Sequence, residues 1–293
     1  MIYDVEIQEE LDKRFKGKDH ISSTVIPDPP MSPEREYIRL MNSLMYMVRK
    51  EVLAELPSLE RDYNAEFRAD GIANLDVKLT RLFTKIAKKL DLMIRAKDFA
   101  KMLRTISRHG QSISVAQWKR EVRRMLGVDI SEDYYKGKLM DSLLADWVEQ
   151  NVNLIKTIPL ETLGEMKKII MEGYKKGMAT KEISKEIQSA YGIGKRHSHF
   201  IARDQMAKLN AAMRLKEHQD AGVTKFKWLT VGDQRVRESH RRFNRHIYEY
   251  SNPPLNERGE PVIPGTDYNC RCAALPVFEP GLSLPIEQKL RSL

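Results

Sequence analysis

The chain contains two cysteines, and they form a Cys-x-Cys motif at Cys270 and Cys272. In an extended strand, residues i and i+2 face the same side, so both thiolates could bind one metal ion. A tetrahedral zinc site needs four ligands, mostly Cys or His, and His240 and His246 lie upstream as candidates. The alternative is a pair of small, partly buried thiols beside histidines that hydrogen-bond to loops.

Carboxylates near the two histidines could take part in a zinc site or in a metal-dependent nuclease site. Asp233 or Asp267 could supply a further zinc ligand. His240 and His246, together with Asp233 and Glu238, also suggest a metal-dependent nuclease, in which such side chains hold a metal ion and activate water. Nothing in the sequence fixes a general base, so the nuclease is kept as the alternative function.

An arginine-rich stretch with interspersed aromatic residues precedes the cysteines. Residues 196–250 hold 12 Lys and Arg against six Asp and Glu, which gives this segment +6 of the net charge of +9. Guanidinium groups bind phosphates and stack on bases, so we expect non-specific contact with double-stranded DNA. The arginines predicted to make it are Arg235, Arg237, Arg241, Arg242 and Arg245. The alternative is that they pair with Asp233, Glu238 and Glu249 within the fold.

A longer series of motifs surrounds these residues. In chain order the motifs are Ile201-Ala202-Arg203-Asp204-Gln205, Trp228-Leu229-Thr230, Asp233-Gln234-Arg235-Val236-Arg237-Glu238-Ser239-His240, Pro253-Pro254, Pro264-Gly265 and Asn269-Cys270-Arg271-Cys272. The series resembles the phage Mu protein F-like family of minor head proteins, also called phage head morphogenesis proteins. The resemblance covers residues 150 to 280, and a chance similarity does not explain so many motifs in order.

The resemblance implies a zinc site only in altered form. Some family members carry a Cys-x-x-Cys where this chain has Arg237 and His240, and with the final Cys-x-Cys this looks like a zinc site. One ligand is therefore lost here, and the other is replaced by histidine. We expect no cofactor, with zinc on His240, Cys270 and Cys272 as the candidate metal site.

The function that the resemblance implies lies in the head of a tailed bacteriophage or prophage. Family members are minor, capsid-associated proteins that associate with the portal and with capsid or scaffolding proteins. They act in head morphogenesis and in the packaging or ejection of DNA. For this chain, the resemblance implies a protein that is not an enzyme, assembled in the host cytoplasm and located in the virion, inside the phage head.

The elements that must position these residues change in character at Gly222. Residues 223–230 alternate with a period of two and are rich in strand formers, and loops rich in Pro, Gly and Asn follow. We expect a small α+β domain in which Trp228 packs the core. Charge-assisted hydrogen bonds are expected to lock the loops above it into a structural network. Its members are Asp233, Arg235, Arg237, His240 and Asn269, closed against the two cysteines.

Upstream of that point the sequence is predicted to be mainly α-helical. Ser32 and Pro33 are typical of a helix start, and Pro57 is predicted to end that helix. An apolar stripe predicts a second long helix over 75–107. Residues 192–194, Gly-Ile-Gly, predict a turn between two further helices.

Length and composition complete the sequence-based expectations. The chain has 293 residues, of which 41% are hydrophobic and 31% charged, which excludes a disordered protein. Two cysteines exclude a disulfide scaffold, and no apolar run is long enough to predict a membrane span. The fold class is a mainly α N-terminal region with a C-terminal small α+β domain. The predicted ranges are an N-terminal arm at 1–32, a helical region for portal or capsid association at 33–195, a Mu F-like domain at 196–285 and a tail at 286–293.

Overall fold

Long helices dominate the computed structural model, which describes residues 5–66, 71–96, 98–282 and 284. The α-helices are α1 (Val5–Phe15), α2 (Met31–Glu66), α3 (Gly71–Ala96), α4 (Phe99–Leu126), α5 (Glu132–Lys136), α6 (Asp141–Lys175), α7 (Thr180–Asp220) and α8 (Glu238–Phe243). The strands are β1 (Ile21–Ser22), β2 (Lys225–Leu229), β3 (Ile247–Glu249) and β4 (Ala273–Phe278), and a 3-10 turn spans Lys138–Met140. The predicted fold class is confirmed. The predicted tail at 286–293 lies outside the described residues.

The chain forms two compact units, and each is built from separated segments. The first unit comprises Met1–Pro33, Thr105–Trp147 and Arg203–Leu293, and the second comprises Glu34–Arg104 and Val148–Ala202. These packing units differ from the predicted ranges 33–195 and 196–285, and α7 is continuous through residue 195. The functions assigned to the predicted ranges stay predictions. Within the described ranges, no helix combines the length and apolar character that a membrane span requires.

The second unit is helical, and its helices bury one apolar face each. Buried side chains recur every three or four residues, as expected for a helix with one face in a core. They include Tyr37, Met41, Leu44, Val48, Leu79, Phe83, Ile86, Leu90, Ile155, Ile158, Met166, Ile170, Ile183 and Ile187. The buried hydroxyl of Tyr37 donates a 2.7 Å hydrogen bond to Oδ1 of Asn151, so this polar group is satisfied inside the core.

The turn predicted at residues 192–194 is wrong, because α7 passes through it. A Cβ atom on Gly194 would lie 2.4 Å from Oγ1 of Thr162 on α6 and 2.5 Å from Cε of Met45 on α2. The glycine therefore permits a close approach of three helices. The same residue type has a packing role here rather than the turn role assumed from sequence.

Two further helix boundaries differ from prediction. α2 continues through Pro57, with Leu59 buried immediately after it, so burial of the apolar face outweighs the local cost of proline. The single helix predicted over 75–107 is two helices, α3 and α4. They are separated at Asp98, which has a φ of 45° and whose Oδ1 accepts the backbone N–H of Lys101 at 2.9 Å. The aspartate thus begins α4 as an N-terminal cap.

The first unit has an aromatic core that joins distant parts of the chain. Trp118 of α4 stacks on Phe278 of β4 with 5.8 Å between ring centroids, and Leu11 of α1 is buried in the same cluster. Residues 5–32, predicted as an arm, contribute both α1 and β1 to this unit. Neither element was predicted from the sequence, because a two-residue strand and a short helix show little periodicity in their apolar residues.

The sheet of the first unit is antiparallel, with strand order β1-β4-β2-β3. β2 is central: Phe226 lies opposite Pro276 of β4 and Tyr248 of β3. Phe226 and Trp228 are fully buried, while the alternate residues Lys225, Lys227 and Leu229 are half-buried. This is the alternation predicted from the sequence. β2 therefore supplies one apolar face to a small core and carries Lys227 on the other face.

A buried polar network lies between α4 and α7 in the first unit. Arg214 and Glu121 form a buried ion pair, and Ser114 donates a 2.9 Å hydrogen bond to Oε1 of Glu217. Burial raises the pKa of Glu217 to about 7, although Arg214 and Ser114 oppose this. Burial, and then the charge of Arg214, lower the pKa of His218 well below its ordinary value, so His218 is neutral.

Candidate metal centre and nucleic-acid interface

Two loops of the first unit position the candidate site. The first loop follows β2 and leads into α8, and the second, at residues 264–272, leads into β4. One ion pair joins them: Oδ1 of Asp233 lies 2.6 Å from Nη2 of Arg271. This hydrogen-bonded pair lowers the pKa of Asp233, so the carboxylate stays ionised. The loops are thus held together at the surface by opposite charges.

α8 places His240 against the Cys-x-Cys motif. The imidazole is buried, and its Nδ1 lies 3.7 Å from Sγ of Cys270 and 3.6 Å from Sγ of Cys272. All three candidate ligand atoms lie within 4.8 Å of one another. Trp228, fully buried, packs edge-on against the imidazole with 5.1 Å between ring centroids. The structure therefore brings together the three residues predicted to bind zinc.

The two thiols differ in their tendency to ionise. The hydrogen bond with the thiol of Cys272, followed by those from His240 and the backbone N–H groups of Cys272 and Gly265, lower the pKa of Cys270 to about 5. The hydrogen bond with Cys270, together with burial, raises the pKa of Cys272. The pair therefore holds one thiolate at neutral pH, and the thiolate is the form of cysteine that binds metals.

Asp267 lies on the far side of the imidazole from the thiols. Its Oδ2 is 3.5 Å from Nε2 of His240, and Arg237 and Arg258 approach the same carboxylate at 3.7 Å and 3.6 Å. Histidines that bind zinc usually donate their other ring N–H to a carboxylate or carbonyl. Nε2 of His240 is buried without a hydrogen bond in the described part of the chain. A slightly closer approach to Asp267 would therefore complete a carboxylate–histidine pair.

The donor set fits zinc better than a hard cation, because two sulfurs and one imidazole are soft or borderline ligands. In the described chain no further Cys, His, Asp or Glu joins this group. His246 lies on the surface with Nδ1 2.9 Å from the carbonyl of Arg242, Asp233 pairs with Arg271, and Asp267 faces the other ring nitrogen. A zinc ion here would have three protein ligands, fewer than the four of a closed structural site.

Asp204 fixes the backbone just before the cysteines. Its buried carboxylate accepts a 2.8 Å hydrogen bond from the backbone N–H of Asn269, and its other oxygen lies 2.7 Å from Nζ of Lys208. Asn269 has a φ of 48°, in the left-handed region that asparagine tolerates better than most residues. No role for Asp204 was predicted from the sequence, although the residue stands in one of the motifs that carry the resemblance.

The five arginines predicted to contact DNA fall into two groups. Arg237 donates from Nη2 to the carbonyl of Tyr268 at 2.7 Å, and Arg241 donates to the carbonyls of Val236 and Gln234 at 3.1 Å and 3.2 Å. These two side chains are engaged in holding loops. Among the described residues, the other three form no side-chain hydrogen bond or ion pair, and their side chains are exposed; they are Arg235, Arg242 and Arg245.

A half-buried lysine adds to the exposed arginines. Burial and the nearby guanidinium of Arg245 lower the pKa of Lys227. Arg245 has a φ of 69°, and its backbone N–H is held by the carbonyl of Trp228 at 2.7 Å. Lys227, Arg242 and Arg245 are called the basic turn below. The like charges of Lys227 and Arg245 give the turn a positive potential that a bound anion would relieve.

The residues of the nuclease alternative do not converge. Asp233 is paired with Arg271, Glu238 is exposed in the first turn of α8, and His246 is exposed beside Arg242. In the described chain none of these three joins His240 in a group that could hold a metal ion. The described structure therefore offers a metal ion the Cys/His set and not the His/carboxylate set of the nuclease hypothesis.

Comparison with known proteins gives two distant relatives. An uncharacterized protein of Haemophilus influenzae is 28% identical over 213 residues, which are 73% of this chain and 47% of the relative. An uncharacterized protein of Methanocaldococcus jannaschii is 27% identical over 139 residues, 47% of this chain and 20% of the relative. The chain thus spans half or less of the length of these relatives. No solved structure matches it.

A family model matches the part of the chain that carries the site. The model is described as Phage Mu protein F like protein, and it matches residues 165–275. This range contains Asp204, the basic turn, His240 and both cysteines, and it agrees with the motifs from Ile201 to Cys272. The resemblance inferred from those motifs is confirmed: residues 165–275 match the model of the phage Mu protein F-like family.

Proposed function

We propose that this chain is a minor head protein of a tailed bacteriophage or prophage. The match to the phage Mu protein F-like family supports a role in head morphogenesis and a place in the virion. Portal, capsid and scaffolding partners, a position inside the head and assembly in the host cytoplasm belong to the same proposal. So does a structural rather than an enzymatic mode of action.

The basic turn is the proposed contact with double-stranded DNA, made during packaging or ejection. The observation that carries it is the cluster of Lys227, Arg242 and Arg245, in which burial and Arg245 already disfavour the charge on the lysine. Arg235, exposed on the adjoining loop, extends the cluster. Lysine and arginine contacts to phosphate carry no base information, so the binding is independent of sequence.

The proposal predicts how strongly the DNA affinity depends on salt concentration. The slope of log K against log salt is about −0.9 for each phosphate that the protein neutralises on B-form DNA. Three or four contacts from the basic turn and Arg235 therefore predict a slope of about −3. Affinity should fall steeply between low and physiological salt, as expected for a protein that meets DNA at high local concentration.

The test is a fluorescence-anisotropy titration of the full chain with a labelled duplex at several salt concentrations. The double variant Arg242→Ala/Arg245→Ala should bind more weakly, with a slope less steep by about two. Arg35→Ala/Arg39→Ala, which removes two exposed arginines from α2, is the charge-matched control. Equal losses in both double variants, or no binding at low salt, would overturn the proposed contact.

The head-assembly part is tested separately. Co-expression with the portal protein of the same phage should yield a complex that survives size-exclusion chromatography, and mass spectrometry of purified heads should detect the chain. Heads that lack the chain would refute the proposed location, whatever the result of the DNA experiment.

We also propose a zinc ion on His240, Cys270 and Cys272. The buried imidazole with Nδ1 toward both thiols and Nε2 toward Asp267 supports this assignment. Zinc would supply a fixed cross-link between α8 and the loop that enters β4. The chain's own residues would bind and orient it: two cysteines and one histidine as ligands, and Asp267 as the group that orients the histidine.

The alternative function, a metal-dependent nuclease, makes a distinct prediction. Supercoiled plasmid would be cut in the presence of Mg²⁺, Mn²⁺ or Zn²⁺, and His240→Ala would abolish the cutting. We expect the plasmid to stay intact with all three metals, because the acidic residues near His240 are directed elsewhere.

A further inference from the structure

An open cleft lies between α6 and α7 in the second unit. Its volume is about 400 Å³. The lining residues are Glu161, Thr162, Glu165 and Ile169 on α6, and Glu186, Ser189, Ala190, Ile193, Gly194 and His197 on α7. Its volume falls within the range of known ligand pockets, and its exposed walls make it a surface groove.

The groove has an apolar floor because small residues line the centre of α7. Ala190 contributes only a methyl group to the lining, and Gly194 allows α7 to lie against Thr162 of α6. Ile169 and Ile193 provide the apolar surface, and Ile193 is 57% exposed. A contiguous apolar patch bounded by polar residues is typical of a surface that another protein covers.

The rim of the groove is acidic on both sides. Glu161 and Glu165 lie one turn apart on α6, and Glu186 lies on α7. All three are exposed, and within the described residues none of them forms an ion pair or a side-chain hydrogen bond. Acidic side chains that flank an apolar floor complement a ligand with an apolar centre and basic flanks.

We infer that this groove binds a basic amphipathic α-helix of a partner protein. Aliphatic side chains at helical spacing would cover Ile169 and Ile193, and lysines or arginines beside them would pair with the glutamates on the rim. The inference concerns the second unit and does not rest on the proposed DNA contact, which lies in the first.

The experiment uses the full chain and a fluorescein-labelled peptide of about 16 residues, a length at which a helix can form in a groove. The peptide carries leucines along one face and lysines beside them, and a second peptide has glutamates in place of the lysines. Binding is followed by anisotropy at physiological salt. The lysine peptide should bind and the glutamate peptide should not.

Variants connect the binding to the groove. Glu161→Gln/Glu165→Gln should weaken binding of the lysine peptide about fivefold or more, and Ile193→Ser should weaken it at least as much. Glu149→Gln, at an exposed glutamate of α6 about three turns before Glu161, is the matched control and should leave affinity unchanged. Circular dichroism checks that each variant remains folded.

Four results would overturn the inference. The first is equal binding of the two peptides, and the second is binding that ignores the groove variants but responds to Glu149→Gln. The third is concentration-dependent self-association in sedimentation experiments that Ile193→Ser abolishes, which would make a second copy of this chain the occupant. Loss of peptide binding in Arg242→Ala/Arg245→Ala would also count against it, because those residues belong to the other unit.

Discussion

Asp204 on α7 accepts the backbone N–H of Asn269 at 2.8 Å, across 65 residues of sequence. The carboxylate is almost fully buried, and Lys208 balances its charge. Asn269 is in a left-handed conformation, and its N–H is directed toward α7. The backbone that enters Cys270 is therefore fixed by a helix before β4 begins.

Asp204→Ala should lower the free energy of unfolding by about 2 to 3 kcal/mol, because it leaves a buried N–H without an acceptor and Lys208 without a counterion. Asp204→Asn keeps an acceptor oxygen and should cost less. Urea unfolding followed by circular dichroism measures both. Asp146→Ala, at an exposed aspartate of α6, is the control and should change stability by less than about 0.5 kcal/mol. Equal losses at both aspartates would contradict the anchoring role.

Protein purified without chelators should contain close to one zinc per chain by plasma mass spectrometry. Cys270→Ser and Cys272→Ser should each remove most of it, and EDTA should lower the melting temperature of the wild type but not of these variants. Asp267→Asn should weaken zinc binding by about 10- to 100-fold while keeping all three ligands. Metal-free protein with the same melting temperature before and after zinc addition would rule the site out.

Glu217 should make the protein less stable as pH rises from about 4.5 to about 7. Its folded pKa is raised by burial to about 7 from an ordinary value of 4.5, so the folded state keeps a proton that the unfolded chain releases. The free energy of unfolding therefore falls through this window and is level above it. Glu217→Gln removes the titration, and near pH 8 the variant should be more stable than the wild type by on the order of 1–3 kcal/mol.

The titration of His218 changes the stability with pH in the opposite direction to that of Glu217. The two contributions are separated by comparing Glu217→Gln with the wild type. Its pKa is lowered in the fold, so the unfolded chain takes up the proton first and stability is lost as pH falls below about 6.5. Both proteins retain His218, so its contribution cancels in the difference between variant and wild type. A difference that does not change between pH 5 and pH 8 would show that Glu217 is ionised in the fold throughout.

Two glycines of α7 should respond in opposite ways to the same substitution. A Cβ at position 194 would meet Thr162 and Met45 at 2.4 Å and 2.5 Å, so Gly194→Ala should destabilise by about 1–3 kcal/mol. A Cβ at Gly192 would meet only Arg196, at 3.8 Å, so Gly192→Ala should stabilise by about 0.5–1 kcal/mol through helix propensity. Thermal unfolding of both variants checks this. A gain at both positions would show that the three helices can separate without cost.

Local patterns predicted the parts of the fold that depend on local physics. The alternation over residues 223–230 predicted β2, because one face of that strand is buried. The types of His240, Cys270 and Cys272 predicted a common site, because few residue types bind zinc. The periodic apolar stripes predicted helices, but not that α2 continues through Pro57 or that α7 continues through residues 192–194.

Features that depend on contacts between residues far apart in the sequence were not predicted. Glycines at 192 and 194 are typical of a turn, but Gly194 lies where three helices pack closely. Only the positions of Thr162 and Met45 show that the glycine is needed for helix packing. Likewise, the backbone carbonyls to which Arg237 and Arg241 donate were not predicted from the sequence. The acceptor of a guanidinium group depends on how loops fold, which composition does not encode.

The pairing of Ile21 with Phe278 has a consequence for biosynthesis. A ribosome extends a chain from its N-terminus at about 5–20 residues per second, and each unit can close only when its last segment has emerged. All segments of the second unit are available once Ala202 is made, whereas the sheet of the first unit must wait for β4. Chains that stall in between would present β1 and β2 without their shared partner, and unpaired strand edges of this kind promote aggregation.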